Sequence, residues 1–269
     1  MLKDITLGQY FPGKSPVHLL DPRTKLIMLV VYIVALFLAS GWLSYGLMFL
    51  FLALAIKTST IPVKSILRGM KPLVVILAFT GILNIFFTPG EGEPLLSFWV
   101  ITVYTEGLVR AVFMMLRILM LVAGTFLLTY TTSPISLPDG LEALLSPLKK
   151  IKVPVHELAM MMCIALRFIP TLIEETDKIM CAQKARGADF ETGSLIERAR
   201  ALIPILVPLF ISSFRRADEL ATAMECRCYQ GDEGRTNMKL LRYSSWDFYA
   251  FGIGALLLAA TGVMRYFGV

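Results

Sequence analysis

Residues 26–56 read LIMLVVYIVALFLASGWLSYGLMFLFLALAI, 31 positions from Leu26 to Ile56 without a charge. One helix of that length would measure about 46 Å, against a bilayer core of about 30 Å. Ser40-Gly41 breaks the run, so it divides into two spans joined by a tight turn, near Pro22–Ser40 and Trp42–Lys57. Asp21-Pro22 opens the first as an N-cap followed by a first-turn proline. Working outward, further spans are expected near Pro72–Phe87, Leu108–Tyr130 and Phe248–Tyr266. The expected fold class is all-α, a polytopic membrane protein with about five transmembrane helices.

Composition points the same way. Hydrophobic residues make up 56% of the 269, charged residues only 17%, and mean hydropathy is +0.69. Soluble domains carry about a quarter charged residues. The net charge of +6 lacks the solvated basic stripe with interleaved aromatics that nucleic acid needs, so no nucleic-acid partner is expected. No short apolar stretch ends at a small-residue cleavage site, so the first span is expected to remain in place.

Loop charges orient the spans. Residues 1–25 hold Lys3, Lys14, Arg23 and Lys25, and residues 57–71 hold Lys57, Lys64, Arg68 and Lys71. Residues 88–106 hold no Lys or Arg but carry Glu91, Glu93 and Glu106. The positive-inside rule then puts the N-terminus and residues 131–245 in the cytoplasm and the C-terminus outside. All four cysteines fall in that cytoplasmic stretch, where disulfides are rare.

Residues 131–245 carry fifteen Lys/Arg against fourteen Asp/Glu, a balance that suits a folded, partner-binding arm. The expected organisation is residues 1–135 for four N-terminal spans, 136–240 for the arm and 241–269 for the last span. A short helix capped by Asp139 would place Leu141, Leu144, Leu145 and Leu148 on one face. Two long helices follow, about Val155–Arg186 and Leu195–Tyr229, with Pro170, Pro204 and Pro208 inside them. Their first halves, Leu158–Ile173 and Leu202–Phe214, are apolar and their second halves charged. The apolar halves are expected to lie against or partly within the bilayer; two extra short spans are the alternative.

Several motifs carry no chemistry. Gly8–Ser15 formally fits a phosphate-binding loop, but no strand precedes it and Pro16 opposes the helix that must follow. His18 and His156 are far apart, and Cys226-x-Cys228 lacks a second pair, so neither a metal site nor a cofactor is expected. No nucleophile–base pair stands at membrane depth, so the chain is not expected to be an enzyme. Arg110 and Arg117 share a face of the fourth span. Arg110 can snorkel outward, whereas Arg117 calls for a carboxylate or carbonyls of another helix.

Two segments 41 residues apart stand out. Ala182–Asp189 contains Ala185-Arg186-Gly187, and Ala223–Tyr229 contains Cys226-Arg227-Cys228. Arginine at a helix C-terminus complements the dipole and can grip a carboxylate bidentately, and Gly187 can supply a left-handed end. Spacing alone leaves two ordinary C-capping arginines open. Leu20-Asp21-Pro22-Arg23-Thr24-Lys25-Leu26, Thr131-Thr132-Ser133-Pro134 and Ala165–Pro170 complete an ordered set along the chain. In that set the chain resembles the T component of energy-coupling-factor (ECF) vitamin transporters, in the cobalt-transporter permease-like superfamily. Ala-Arg-Gly marks that family; Cys-Arg-Cys departs from it and keeps only the charge.

The resemblance implies a cell-membrane coupling subunit that binds neither ATP nor substrate. Ala185, Arg186, Gly187, Cys226, Arg227 and Cys228 would dock two ABC-type ATPase subunits. Met160, Met161, Met162, Leu206, Leu209 and Phe210 would form a platform for one substrate-binding membrane S component. That S component could be exchangeable, since methionine repacks against non-identical partners. The whole would take up a vitamin or metal ion. A permease lining the path itself would need convergent polar groups, and the spans offer mainly Asn84, Arg117 and scattered hydroxyls.

Overall fold

The computed structural model describes residues 10–87, 94–98, 101–190, 194–231 and 240–267. They fall into two compact units, a helical bundle that runs to Gly140 and resumes at Leu241, and an arm of Leu141–Leu240. The motif at Gly8–Ser15 lies partly outside the described residues.

In the bundle, the turn α1 (Pro16–Leu19) leads into α2 (Pro22–Leu38) and α3 (Trp42–Ser59). Asp21 caps α2 by accepting the Arg23 N–H, with Pro22 in the first turn as expected. The break falls at Ala39–Gly41, and α3 ends on Thr60 in the left-handed conformation, φ 58°. The segment treated as a basic loop is partly helical: α4 (Val63–Met70) buries Ile66 and leaves Lys64 and Arg68 exposed. Eight residues are too few for a clear period, which is why the pattern escaped the sequence reading. Across Lys71-Pro72 the chain bends by 58° into α5 (Leu73–Phe87), at the residue that cannot continue a helix. A two-stranded antiparallel hairpin follows, β1 (Pro94–Phe98) with β2 (Ile101–Tyr104), pairing Leu96 with Val103 and Phe98 with Ile101. It is a small addition to an otherwise all-α chain, and Ile101-Thr102-Val103 has the β-branched residues that favour it.

α6 (Thr105–Thr131) crosses the centre of the bundle and α7 (Ser136–Leu145) joins the two units. Asp139 therefore sits in the first turn of α7 and does not cap it, since the helix starts three residues before it. α8 (Val155–Ala185) and α9 (Leu195–Glu225) form the arm, and α10 (Ser245–Tyr266) returns to the bundle. The five expected spans start within three residues of their forecast positions. By length and composition α3, α6, α8 and α10 can each cross a membrane, with bent α4–α5 as a fifth. α2, with 17 residues, measures about 26 Å. That α8 qualifies is a difference from the expectation: its first half tolerates Glu157 and Arg167 within an otherwise apolar run.

α2 packs against α10 and α6, and α5 against α6. Tyr32, Leu36, Met48, Leu52, Met120 and Tyr130 fill the core. Tyr32 stacks on Phe51 at 5.9 Å and donates its hydroxyl to the Met120 carbonyl at 3.2 Å. Gly124 makes room for that ring, because a β-carbon there would stand 2.8 Å from it. Arg117 finds the carbonyl partner expected of it: its Nε donates to Tyr45 Oη at 3.0 Å, and a terminal nitrogen to the Ala39 carbonyl at 3.2 Å. One arginine thus caps the C-terminal end of α2 and fastens the α2–α3 turn to α6. Its guanidinium also lies 5.4 Å from the Phe37 ring.

Candidate functional site

The arm is an antiparallel helix pair. α9 opens on a capping box, in which Ser194 N–H donates to Glu197 at 2.8 Å and Glu197 N–H to the Ser194 hydroxyl at 3.4 Å. Pro208 has no N–H, so the Pro204 carbonyl loses its helical partner. Gln183 of α8 donates to that carbonyl at 3.4 Å. One region further along, Glu175 accepts from the Ser212 hydroxyl and from Arg216 at 2.7 Å. Residues 183 and 175 thus face 204 and 212, which sets the helices running in opposite directions. Elsewhere in the arm, His156 is buried and bonds Glu142 at 2.8 Å.

The two arginine motifs end these helices in the same way. Gly187 N–H donates to Lys184 O at 3.0 Å and Ala188 N–H to Gln183 O at 3.0 Å. Forty-one residues later, Cys228 N–H donates to Glu225 O at 2.9 Å and Tyr229 N–H to Met224 O at 3.1 Å. Both are Schellman caps, with the left-handed position at Gly187 (φ 88°) and Cys228 (φ 56°). Arg186 and Arg227 stand one residue before that position, and Ala185 and Cys226 two before it. All six residues are exposed, and among the described residues neither guanidinium is paired within the chain. The cysteine substitution therefore leaves the backbone of the second motif superposable in hydrogen bonding on the first.

The tips are far apart. Arg186 lies three residues past Gln183, beside the early turns of α9. Arg227 lies about 23 residues beyond Pro204, roughly 35 Å of helix.

The apolar halves divide by face. On α9 Leu206 and Phe210 are 58% and 65% exposed, while Leu209 is half-buried. Met161 and Met162 are exposed on α8, and Met160 is half-buried. Ile203, Val207, Ile211 and Phe214 extend the exposed face of α9, with the Phe210 and Phe214 rings 4.6 Å apart. All four lie in the apolar half Leu202–Phe214 that the sequence marks, and the helical period among them (203, 207, 211 and 214) puts them on one side of the helix. Among the described residues no cluster of His, Cys, Asp and Glu could hold a metal ion.

Comparison with known proteins places these features in one family. The profile of the cobalt transport protein family (CbiQ) matches residues 13–238. A protein of Clostridium kluyveri named energy-coupling factor transporter transmembrane protein EcfT is 54% identical over 264 residues, 98% of this chain and 97% of its own. The protein of that name from Ruminiclostridium cellulolyticum is 52% identical over 99% of both chains. The Bacillus subtilis one is 48% identical over 97% of both.

Proposed function

Since this chain belongs to the cobalt transport protein family, we propose that it is the T component of an ECF-type importer. In this reading it links ATP hydrolysis by two ATPase subunits to reorientation of one substrate-binding S component, for uptake of a vitamin or metal ion. It performs no chemistry itself. The duplicated cap carries the proposal. Two exposed arginines, unpaired among the described residues, sit on caps with the same hydrogen-bond pattern, too far apart to enter one groove and suited to two copies of one partner. Acidic grooves on those partners would receive them as bidentate pairs.

The exposed face of α8 and α9 supports the second half of the reading. Met161, Met162, Leu206 and Phe210, with Met160 and Leu209 at its edge, would hold the S component. The methionines would let different S components share one surface. The Lys/Arg bias favours a cytoplasmic N-terminus and cytoplasmic residues 131–245, with the C-terminus outside.

Charge reversal at the tips tests the proposal. In a complex purified from the native membrane, the wild-type chain should bring down two ATPase subunits and a separate substrate-binding membrane protein. Arg186→Glu with Arg227→Glu should abolish ATP-driven uptake and ATPase recovery while membrane insertion persists. Removing one partner of a buried hydrogen-bonded charge pair costs about 2–5 kcal/mol, so each single change should weaken binding less than the pair. Normal uptake by the double variant, with both ATPases bound, would reduce the arginines to helix caps.

A further inference from the structure

The motif Leu20–Leu26 takes no part in the tips or the apolar face, yet it gathers buried charge. Asp21, Lys25 and Asp247 are 6%, 7% and 0% exposed. Polar groups removed from water this far need hydrogen bonds, and each of these makes them, Asp21 within an ion pair with Arg23. Lys25 Nζ donates to the Thr131 carbonyl at 2.8 Å and to the His18 carbonyl at 3.1 Å. Asp247 accepts the Asp21 N–H on one oxygen at 3.0 Å and the Ser244 N–H on the other at 2.6 Å. Arg23 closes on the Asp21 carboxylate through two nitrogens at 3.2 Å and lies 4.5 Å from the Tyr243 ring.

The partners of this cluster are not scattered. Thr131 is the last residue of α6, ten residues before the arm begins at Leu141, and Tyr243-Ser244 lies just past the arm's end at Leu240; these two points are the roots of the connections to the arm. A helix C-terminus presents carbonyls, and Lys25 takes one. A helix N-terminus presents N–H groups, and Asp247 serves two helices at once, its own and α2. Both roots of the arm are therefore fixed to one short motif at one end of the bundle.

We propose that Lys25, Asp21 and Asp247 are positioning residues for energy coupling, holding the two roots of the arm at a fixed separation. Movement reaching the arm then passes to the bundle as a whole and is not lost in separate shifts of α6 and α10. The inference rests on the coupling role proposed above.

Spin labels at Ile135 and Ser245, both exposed and flanking the roots, measure that separation in the assembled complex. The native cysteines are first replaced, with Cys226→Ala and Cys228→Gly at the second tip. With the native clasp, the label distance should change by under about 2 Å between nucleotide-free and ATP-bound states. In Lys25→Met it should broaden and shift, and uptake per ATP hydrolysed should fall at least about fivefold while both ATPases stay bound, an uncoupling that simple misfolding does not produce. A change of about 5 Å in the native clasp, the size of a one-turn slip, would overturn the proposal. So would Lys25→Met with unchanged spacing, or with altered spacing and normal uptake. If Lys25→Met fails to accumulate, the native measurement decides alone. The label distance is readable whether or not the complex transports, so failure of the coupling role stays distinct from failure of the clasp.

Discussion

At Cys228 the backbone takes φ 56°, a region where a β-carbon crowds the following carbonyl and costs about 1–2 kcal/mol. Gly187 occupies the same cap position at φ 88° without that crowding. Replacing Cys228 by glycine should relieve the strain, partly offset by the greater freedom of glycine in the unfolded chain. The expected net gain is about 0.5–1 kcal/mol, read as two- to fivefold slower hydrogen exchange of the last-turn amides of α9. Cys228→Val, β-branched, should speed that exchange. Arg186 and Gly187 were legible because glycine directly follows a helical charge. The equivalent role of Cys228 was not legible from its identity, since cysteine has no preference for that conformation; only the 41-residue spacing pointed to it. Arg117 shows the opposite case. A guanidinium in an apolar helix demands acceptors, and that demand forecast its kind of partner, while Tyr45 and Ala39 themselves emerged only from the fold.

At the scale of elements, the arm joins two different kinds of contact. Glu175 with Ser212 and Arg216, and Gln183 with Pro204, fix how α8 and α9 lie against each other. The exposed face of α9 is left for something else. Phe210→Glu places a carboxylate on that face without disturbing the pair, so S-component recovery should fall more than tenfold with both ATPases retained, since several apolar contacts and a desolvated charge are at stake. Leu209→Glu, at a half-buried position, should instead lower accumulation of the chain itself. If Phe210→Glu leaves S-component recovery intact, the platform lies elsewhere. Long helices were readable here because their patterns run for many turns. The eight-residue α4 was not, and neither was the bond that Gln183 makes to a carbonyl freed by Pro208, because pairings of this kind depend on where distant segments meet.

For the molecule as a whole, the sidedness of the chain is the open quantity that charge counts address. The hydrogen bond from Asp21 N–H to Asp247 sets the first turns of α2 and α10 at one end of the bundle. A cysteine at Ser97, in a cysteine-free background, should react with an impermeant thiol reagent in intact cells. One at Gln230 should react only after lysis; Gln230 is exposed and, unlike Ser194, caps no helix. The reverse pattern would invert the assigned topology. Asp247 shows where sequence reading stopped short, since it was placed just outside the last span, whereas α10 begins at Ser245 and buries it. The adjacency of Thr131 and Ser244 across the opening motif has a consequence for how such chains can change. A segment whose two ends leave one spot can be lengthened, shortened or exchanged for a homologous one without rethreading its host. Residues 141–240 are in that sense an insert, and recombination between related genes at its two borders would exchange the arm and keep the bundle.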